Sequence, residues 1–141
     1  MTTTPEGLFP VTQDNVHVAF DWVFAAWIKE MGLKDFVVRE GFCSMRLPMN
    51  DKLKFFSGAV CGQAVMAAID TTAAMAVATT PRLGKGTVYQ HTHFLRPAAN
   101  DDLRIEANVK RFGKASAYVD VAVTFVESGE LVAHGVLEFA F

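Results

Sequence analysis

VCGQAVMAAIDTTAAMAVAT, from Val60 to Thr79, places apolar and small residues on every side of a helical wheel and contains no proline. Pro81 and Gly84 follow as stop signals. A helix that is apolar all round belongs in the middle of a core, so this stretch predicts a long buried helix. Its apolar length also raises the question of a membrane span, but Gln63 and Asp70 interrupt it and small residues and threonines stand where a span would carry leucines.

The chain after this helix supplies what could wrap it. Thr87 to Leu95 reads as extended up to a break at Pro97, and Leu103, Ile105, Ala107 and Val109 alternate with Arg104, Glu106, Asn108 and Lys110. The turn Phe112-Gly113-Lys114 leads into Ser116 to Val126, and Ser128-Gly129-Glu130 leads into Leu131 to Phe141. These short glycine-containing connections predict an antiparallel meander. Such a sheet must bury its apolar face, and the helix over 60–79 is the only partner long enough.

Upstream, Val16, Ala19, Phe20, Val23, Phe24, Trp27, Ile28 and Met31 recur at helical spacing, with Asp14 or Asn15 placed to cap and Gly32 to end the run. That predicts one amphipathic helix whose stripe, including Trp22 and Trp27, packs into the core. Val37 to Met49 then predicts a first strand, closed by Pro48 and the turn Asn50-Asp51-Lys52. The order is helix, strand, long buried helix and four strands: an α+β class with an antiparallel sheet around a central helix.

The 141 residues, 51% hydrophobic and 20% charged, suit one domain over 1–141, with 1–36 as a lead and amphipathic helix. A net charge of −2 with mixed signs gives no basic face for nucleic acid. Two cysteines, Cys43 and Cys61, are too few for a disulfide framework and wrongly spaced for a zinc cluster. A reducing, cytoplasmic setting is the expectation. Met1 to Pro10 lacks a basic residue and an apolar run of signal-peptide length.

The run Gly58-Ala59-Val60-Cys61-Gly62-Gln63 followed by Asp70, then Gly86-Thr87-Val88, Phe94-Leu95-Arg96-Pro97-Ala98 and the Arg111 to Lys114 turn, resembles the PaaI-type hotdog acyl-CoA thioesterases. The likeness spans roughly Phe42 to the C-terminus. The family motif is G-x-[VL]-H-G-G with an acidic residue eight positions after the first glycine of the pair, a spacing kept from Gly62 to Asp70. The resemblance implies a hotdog fold, a homodimer or dimer of dimers, an acyl-CoA substrate, and no metal or prosthetic group. It implies that the Gly62 N–H polarises the thioester carbonyl, that Asp70 activates water or attacks directly, and that Thr87 helps place the water. Arg111, Gly113 and Lys114 match a region that often contacts CoA phosphates. Phe55, Cys61 and Gln63 stand where the motif has a polar Asn or Gln, the histidine and the second glycine, which makes them candidate substrate contacts. The same three changes motivate a rival reading, a catalytically weak or inactive hotdog protein that binds acyl-CoA or a related ligand.

The chemistry has bland alternatives. Gly62 either donates from a helix N-terminus to an oxyanion or merely permits close helix–sheet packing. Asp70 either bonds to Thr71, Thr72 or a neighbouring strand, or acts as base or nucleophile. Cys61 is either a small stand-in for histidine or a nucleophile at a helix start. His91 and His93 share one strand face but lack a third metal ligand at a recognisable spacing, and His17 and His134 read as structural or exposed. Eight residues at about 1.5 Å each put Gly62 and Asp70 about 12 Å apart along one helix. To serve one thioester they must meet across a two-fold axis, each site taking Gly62 from one subunit and Asp70 from the other.

Overall fold

The computed structural model describes residues 5–141, so Met1–Thr4 of the predicted lead lie outside it. Two short helices come first, α1 (Val16–Val23) and α2 (Ala26–Lys29), followed by strands β1 (Lys34–Arg39) and β2 (Phe42–Leu47). A single 3-10 turn (Asp51–Leu53) leads to the long helix α3 (Gly62–Val77). Strands β3 (Gly86–Phe94), β4 (Leu103–Phe112), β5 (Ser116–Phe125) and β6 (Leu131–Ala140) complete the chain. All six strands form one antiparallel sheet in the order β1-β2-β4-β5-β6-β3. α3 packs across it, against every strand from β2 to β6. This is the hotdog arrangement the resemblance implies.

Three expectations change. The predicted helix over 16–31 breaks at Phe24 and Ala25, both extended, into α1 and α2. The break turns Ile28 and Met31 onto the core behind Val16, Ala19 and Phe20 and leaves Trp27 exposed; Trp22, within α1 but off its buried face, is exposed as well rather than in the core stripe. The predicted first strand over 37–49 is a hairpin, because Gly41, with φ of 72°, reverses the chain between Arg39 and Phe42. The meander holds for β4, β5 and β6, but β3 pairs with β6 and not with β4. The connection through Pro97 carries the chain from the β3 edge back to β4, beside β2.

The core lies between α3 and the sheet, with Ile69 and Met75 against Met45, Ile105, Val119, Val123 and Val132, all fully buried or nearly so. Each such side chain stabilises the fold by roughly 1.5–3 kcal/mol relative to exposure. Close approach depends on Gly135, where a Cβ would lie 3.1 Å from the His91 carbonyl oxygen and 3.4 Å from Ile69. α3 is not covered all round, however. Gln63 and Met66 are exposed and Asp70 and Ala74 half-buried, a stripe at helical spacing that faces away from the sheet's centre.

Candidate active site

Cys61 caps α3 in an extended conformation and Gly62 is its first helical residue. The Gly62 N–H is therefore one of the first-turn amides that helix geometry leaves unpaired, at the positive end of the dipole. A Cβ at Gly62 would come no nearer than 3.4 Å to the Phe94 ring, an ordinary contact, so packing alone does not demand glycine there. The tighter position is Gly135, where the 3.1 Å approach is to the His91 carbonyl oxygen of the paired strand β3.

Two turns along α3, Asp70 accepts a hydrogen bond of 2.5 Å from the Thr87 hydroxyl at the start of β3. An O–H donating to an ionised carboxylate is among the stronger hydrogen bonds. Thr71 and Thr72 are buried, and the Thr72 hydroxyl donates instead to the Ala68 carbonyl at 2.8 Å. The partner of Asp70 is thus the neighbouring strand, and the carboxylate keeps one face toward solvent. A β-bulge between Thr87 and Tyr89 shifts the strand so that Gln90 turns toward α3 and donates to the Met66 carbonyl at 3.1 Å.

Gly62 and Asp70 open into different grooves. Gly62 lies in one of about 490 Å³ with Phe55, Ser57, Phe94 and Arg96. Asp70 lies in one of about 400 Å³ with Trp27, Ile28, Met66, Thr71 and Gln90. Of the other candidates, Phe55 joins Gly62, Thr87 joins Asp70, Gln63 is exposed, and Cys61 is half-buried with its N–H on the Leu53 carbonyl at 2.8 Å. Burial pushes the Cys43 thiol up to about 12, which keeps it protonated and unreactive.

Arg111, Gly113 and Lys114 line neither groove. Strand register nevertheless puts their turn at the Thr87 end of the sheet, since Thr87 pairs with Phe139, Phe139 with Ala117 and Ala117 with Phe112. At about 4.8 Å per strand the turn lies roughly 10–14 Å from Thr87. Gly113 is needed there because a Cβ would sit 2.9 Å from the Ser116 carbonyl oxygen. Arg82 anchors the same turn by donating to the Gly113 and Lys114 carbonyls.

Sequence spacing missed two features. Val23, Trp27 and Gln90 stand beside Asp70, a placement that the α1–α2 break and the β3 bulge create and that periodicity does not show. His134 lies opposite His93 in register, with ring centroids 4.9 Å apart, while the Nε2 atoms of His91 and His93 approach to 2.9 Å. Among the described residues no group of three or more His, Cys, Asp or Glu side chains is arranged to hold a metal ion, and no helix is long and apolar enough to cross a membrane.

The sequence profile of the thioesterase superfamily matches residues 56–132. A Thermoplasma volcanium protein carrying a provisional esterase name is 33% identical over 98 residues, covering 69% of this chain and 74% of the relative. Among solved structures, a conserved protein of Pseudomonas aeruginosa superposes with a TM-score of 0.76 at 27% identity, over 85% of this chain and 96% of the other. Zebrafish thioesterase superfamily member 2 gives 0.83 at 19% identity, over 92% and 98%. The PaaI protein of the Escherichia coli phenylacetic acid degradation operon gives 0.76 at 21% identity, over 91% and 94%.

Proposed function

Because the chain belongs to the thioesterase superfamily, we propose that it hydrolyses an acyl-CoA thioester to the free acid and CoA. The observation that carries this reading is the 2.5 Å hydrogen bond from Thr87 to Asp70 on the open stripe of α3. It joins the two residues to which the reaction assigns water, although 17 positions separate them. Asp70 takes a proton from water as the water attacks the thioester carbon, and the Thr87 oxygen accepts from the same water and orients it. The negative charge that develops on the carbonyl oxygen is met by the Gly62 N–H at the α3 N-terminus. Collapse of the tetrahedral intermediate breaks the C–S bond and releases the CoA thiolate, which is protonated, and the acid. Arg111 and Lys114, exposed at the β4–β5 turn, supply positive charge to the phosphates of CoA.

In this mechanism the two grooves become one site in a homodimer, Gly62 coming from one subunit and Asp70 with Thr87 from the other. Two features favour it. The Gly62–Asp70 separation within a helix is too large for one thioester, and β3, beside Asp70, presents an unpaired outer edge with Val88 and Phe94 more than half exposed.

Complementation tests the proposal. Asp70→Asn and Gly62→Val homodimers should each lose at least about a hundredfold in kcat on every acyl-CoA tried, with native circular dichroism. Exchanging their subunits should return about half of the wild-type activity per mixed dimer, because one of the two sites regains both residues. Mixed dimers that co-purify through two tags yet stay inactive would exclude the shared site. The rival reading, a binding protein, draws on Phe55 flanking Gly62 where the family motif is polar. It predicts tight acyl-CoA binding with no turnover by the wild type.

A further inference from the structure

We propose that the apolar tail of the acyl group lies beneath α1 and α2, and that Val23 sets the tail length the enzyme accepts. This rests on the thioester reading of Asp70 and adds the substrate class to it. The groove at Asp70 has Val23 in its wall. Val23 also lines a second, narrower cavity of about 260 Å³, bounded by Phe9, Trp22, Ala74, Gly86 and Phe139. Ala74 is one helical turn beyond Asp70 on the open stripe of α3, and Gly86 immediately precedes Thr87. The second cavity therefore continues from the carboxylate along α3, with Val23 standing between the two compartments.

Val23 is the last residue of α1, at helical spacing from buried Val16, Ala19 and Phe20 and just before extended Phe24 and Ala25, and 41% of its surface is exposed. The helix ends there, so Val23 and Trp22 stand as walls of the cavity over α3, in a segment that lies outside residues 56–132 matched by the superfamily profile.

The lining chemistry selects the occupant. Phe9 and Trp22 meet edge to face at 6.3 Å and form one wall. Arg82, the one cation in the lining, donates from Nη1 to the Gly113 carbonyl at 2.8 Å and the Lys114 carbonyl at 3.1 Å and lies over the Phe141 ring at 3.8 Å. The side chains around it, Phe9, Trp22, Val23, Leu83 and Phe139, are apolar, which suits a hydrocarbon tail. At the ~30 Å³ that one water occupies in the liquid, the cavity has room for about eight methylene-sized groups. Its occupant is the hydrocarbon tail of a medium-chain acyl group.

The test uses S-alkyl-CoA thioethers, which cannot be hydrolysed, titrated calorimetrically from S-methyl to S-hexadecyl into the wild type, Val23→Phe and Val23→Ala. Affinity of the wild type should rise with tail length and level off once the second cavity is full. Val23→Phe should close the passage and weaken S-octyl-CoA about tenfold relative to S-butyl-CoA. Val23→Ala should move the plateau to longer tails. Opposite shifts from two substitutions at one position cannot come from misfolding. A wild type that binds every length equally, or variants that bind with the wild-type length profile, would overturn the inference and leave the thioester reading standing. If no S-alkyl-CoA binds at any length, the thioester reading itself fails and the inference falls with it.

Discussion

The two edges of the sheet, β1 and β3, are finished differently. β1 is short and irregular in register, and Asp35 within it adopts a φ of 56°. The outward-facing backbone of β1 is met by one side chain, since Gln13 donates to the Phe36 carbonyl and accepts from the Val38 N–H, both at 2.8 Å. An amide side chain has the same donor and acceptor as a peptide, so Gln13 occupies the place of a neighbouring strand. β3 is nine residues long, exposed on both faces, and presents Val88, Tyr89 and Phe94 at 61%, 55% and 52% exposure. Natural sheets blunt the edges they do not use. One edge here is closed by its own chain and the other is open, on the side where Asp70 and Thr87 lie; it is the edge that the proposed homodimer would use.

A matched pair of charges would break this contrast most strongly. Val88→Glu on β3 and Val37→Glu on β1 each put a carboxylate on an exposed apolar position of an edge strand. The β3 variant should sediment as a monomer and lose at least about a hundredfold in acyl-CoA hydrolysis, because each proposed site takes residues from both subunits. The β1 variant should keep the wild-type mass and turnover. Equal behaviour of the two variants would mean that β3 is not the assembly edge.

Much of this was legible in the sequence and some was not. The α3 stretch, the β4–β6 alternation and the Gly62–Asp70 spacing were readable because each is a local pattern with one period. The motif likeness gave Thr87 and Asp70 separate roles toward one water, but their hydrogen bond was not foreseen, since no periodicity links a helix to a strand 17 residues away. The β1–β2 hairpin was missed because apolar residues run through it and Gly41 alone marks the turn. Trp22 and Trp27 were placed in the core by spacing; Trp27 is exposed because of a break at Phe24-Ala25 that carries neither proline nor glycine, and Trp22 because it falls off the buried face of α1. Gln13 gave no signal, because an edge-capping side chain looks like any other polar residue of a loop.

Removing that cap would sharpen the comparison. Gln13→Ala deletes two hydrogen bonds to β1, which at 0.5–1.5 kcal/mol each should cost about 1–3 kcal/mol. In urea the unfolding midpoint should fall with an unchanged slope, and turnover should stay at the wild-type value because Gln13 is at the edge remote from Asp70. At high protein concentration the uncapped edge should also promote association beyond that of the wild type. A variant as stable and as monodisperse as wild type would show that β1 is blunted by its shortness alone.

The smallest effect concerns the ion pair that pins the β1 side of the sheet at its other end. Asp102, just before β4, accepts from the Met49 N–H at 2.8 Å and from Arg46 of β2 at 2.8 Å. The Met49 amide first, and the Arg46 guanidinium after it, hold its carboxyl below the ordinary carboxylate value, against an opposing push from desolvation. The unfolded chain therefore takes up this proton first, at about pH 3.9. The stabilisation is complete above that pH and is lost as pH falls through the lower native value. Arg46 stays charged throughout, so the dependence belongs to Asp102. The Tm gap between wild type and Asp102→Asn should be constant from about pH 5 to 8 and should narrow below about pH 4. It should stay modest, because Arg46 and Asp102 keep 32% and 20% of their side-chain surface in water. A gap that persists unchanged to pH 2 would assign the stabilisation to the shape of the Asp102 side chain and not to its charge.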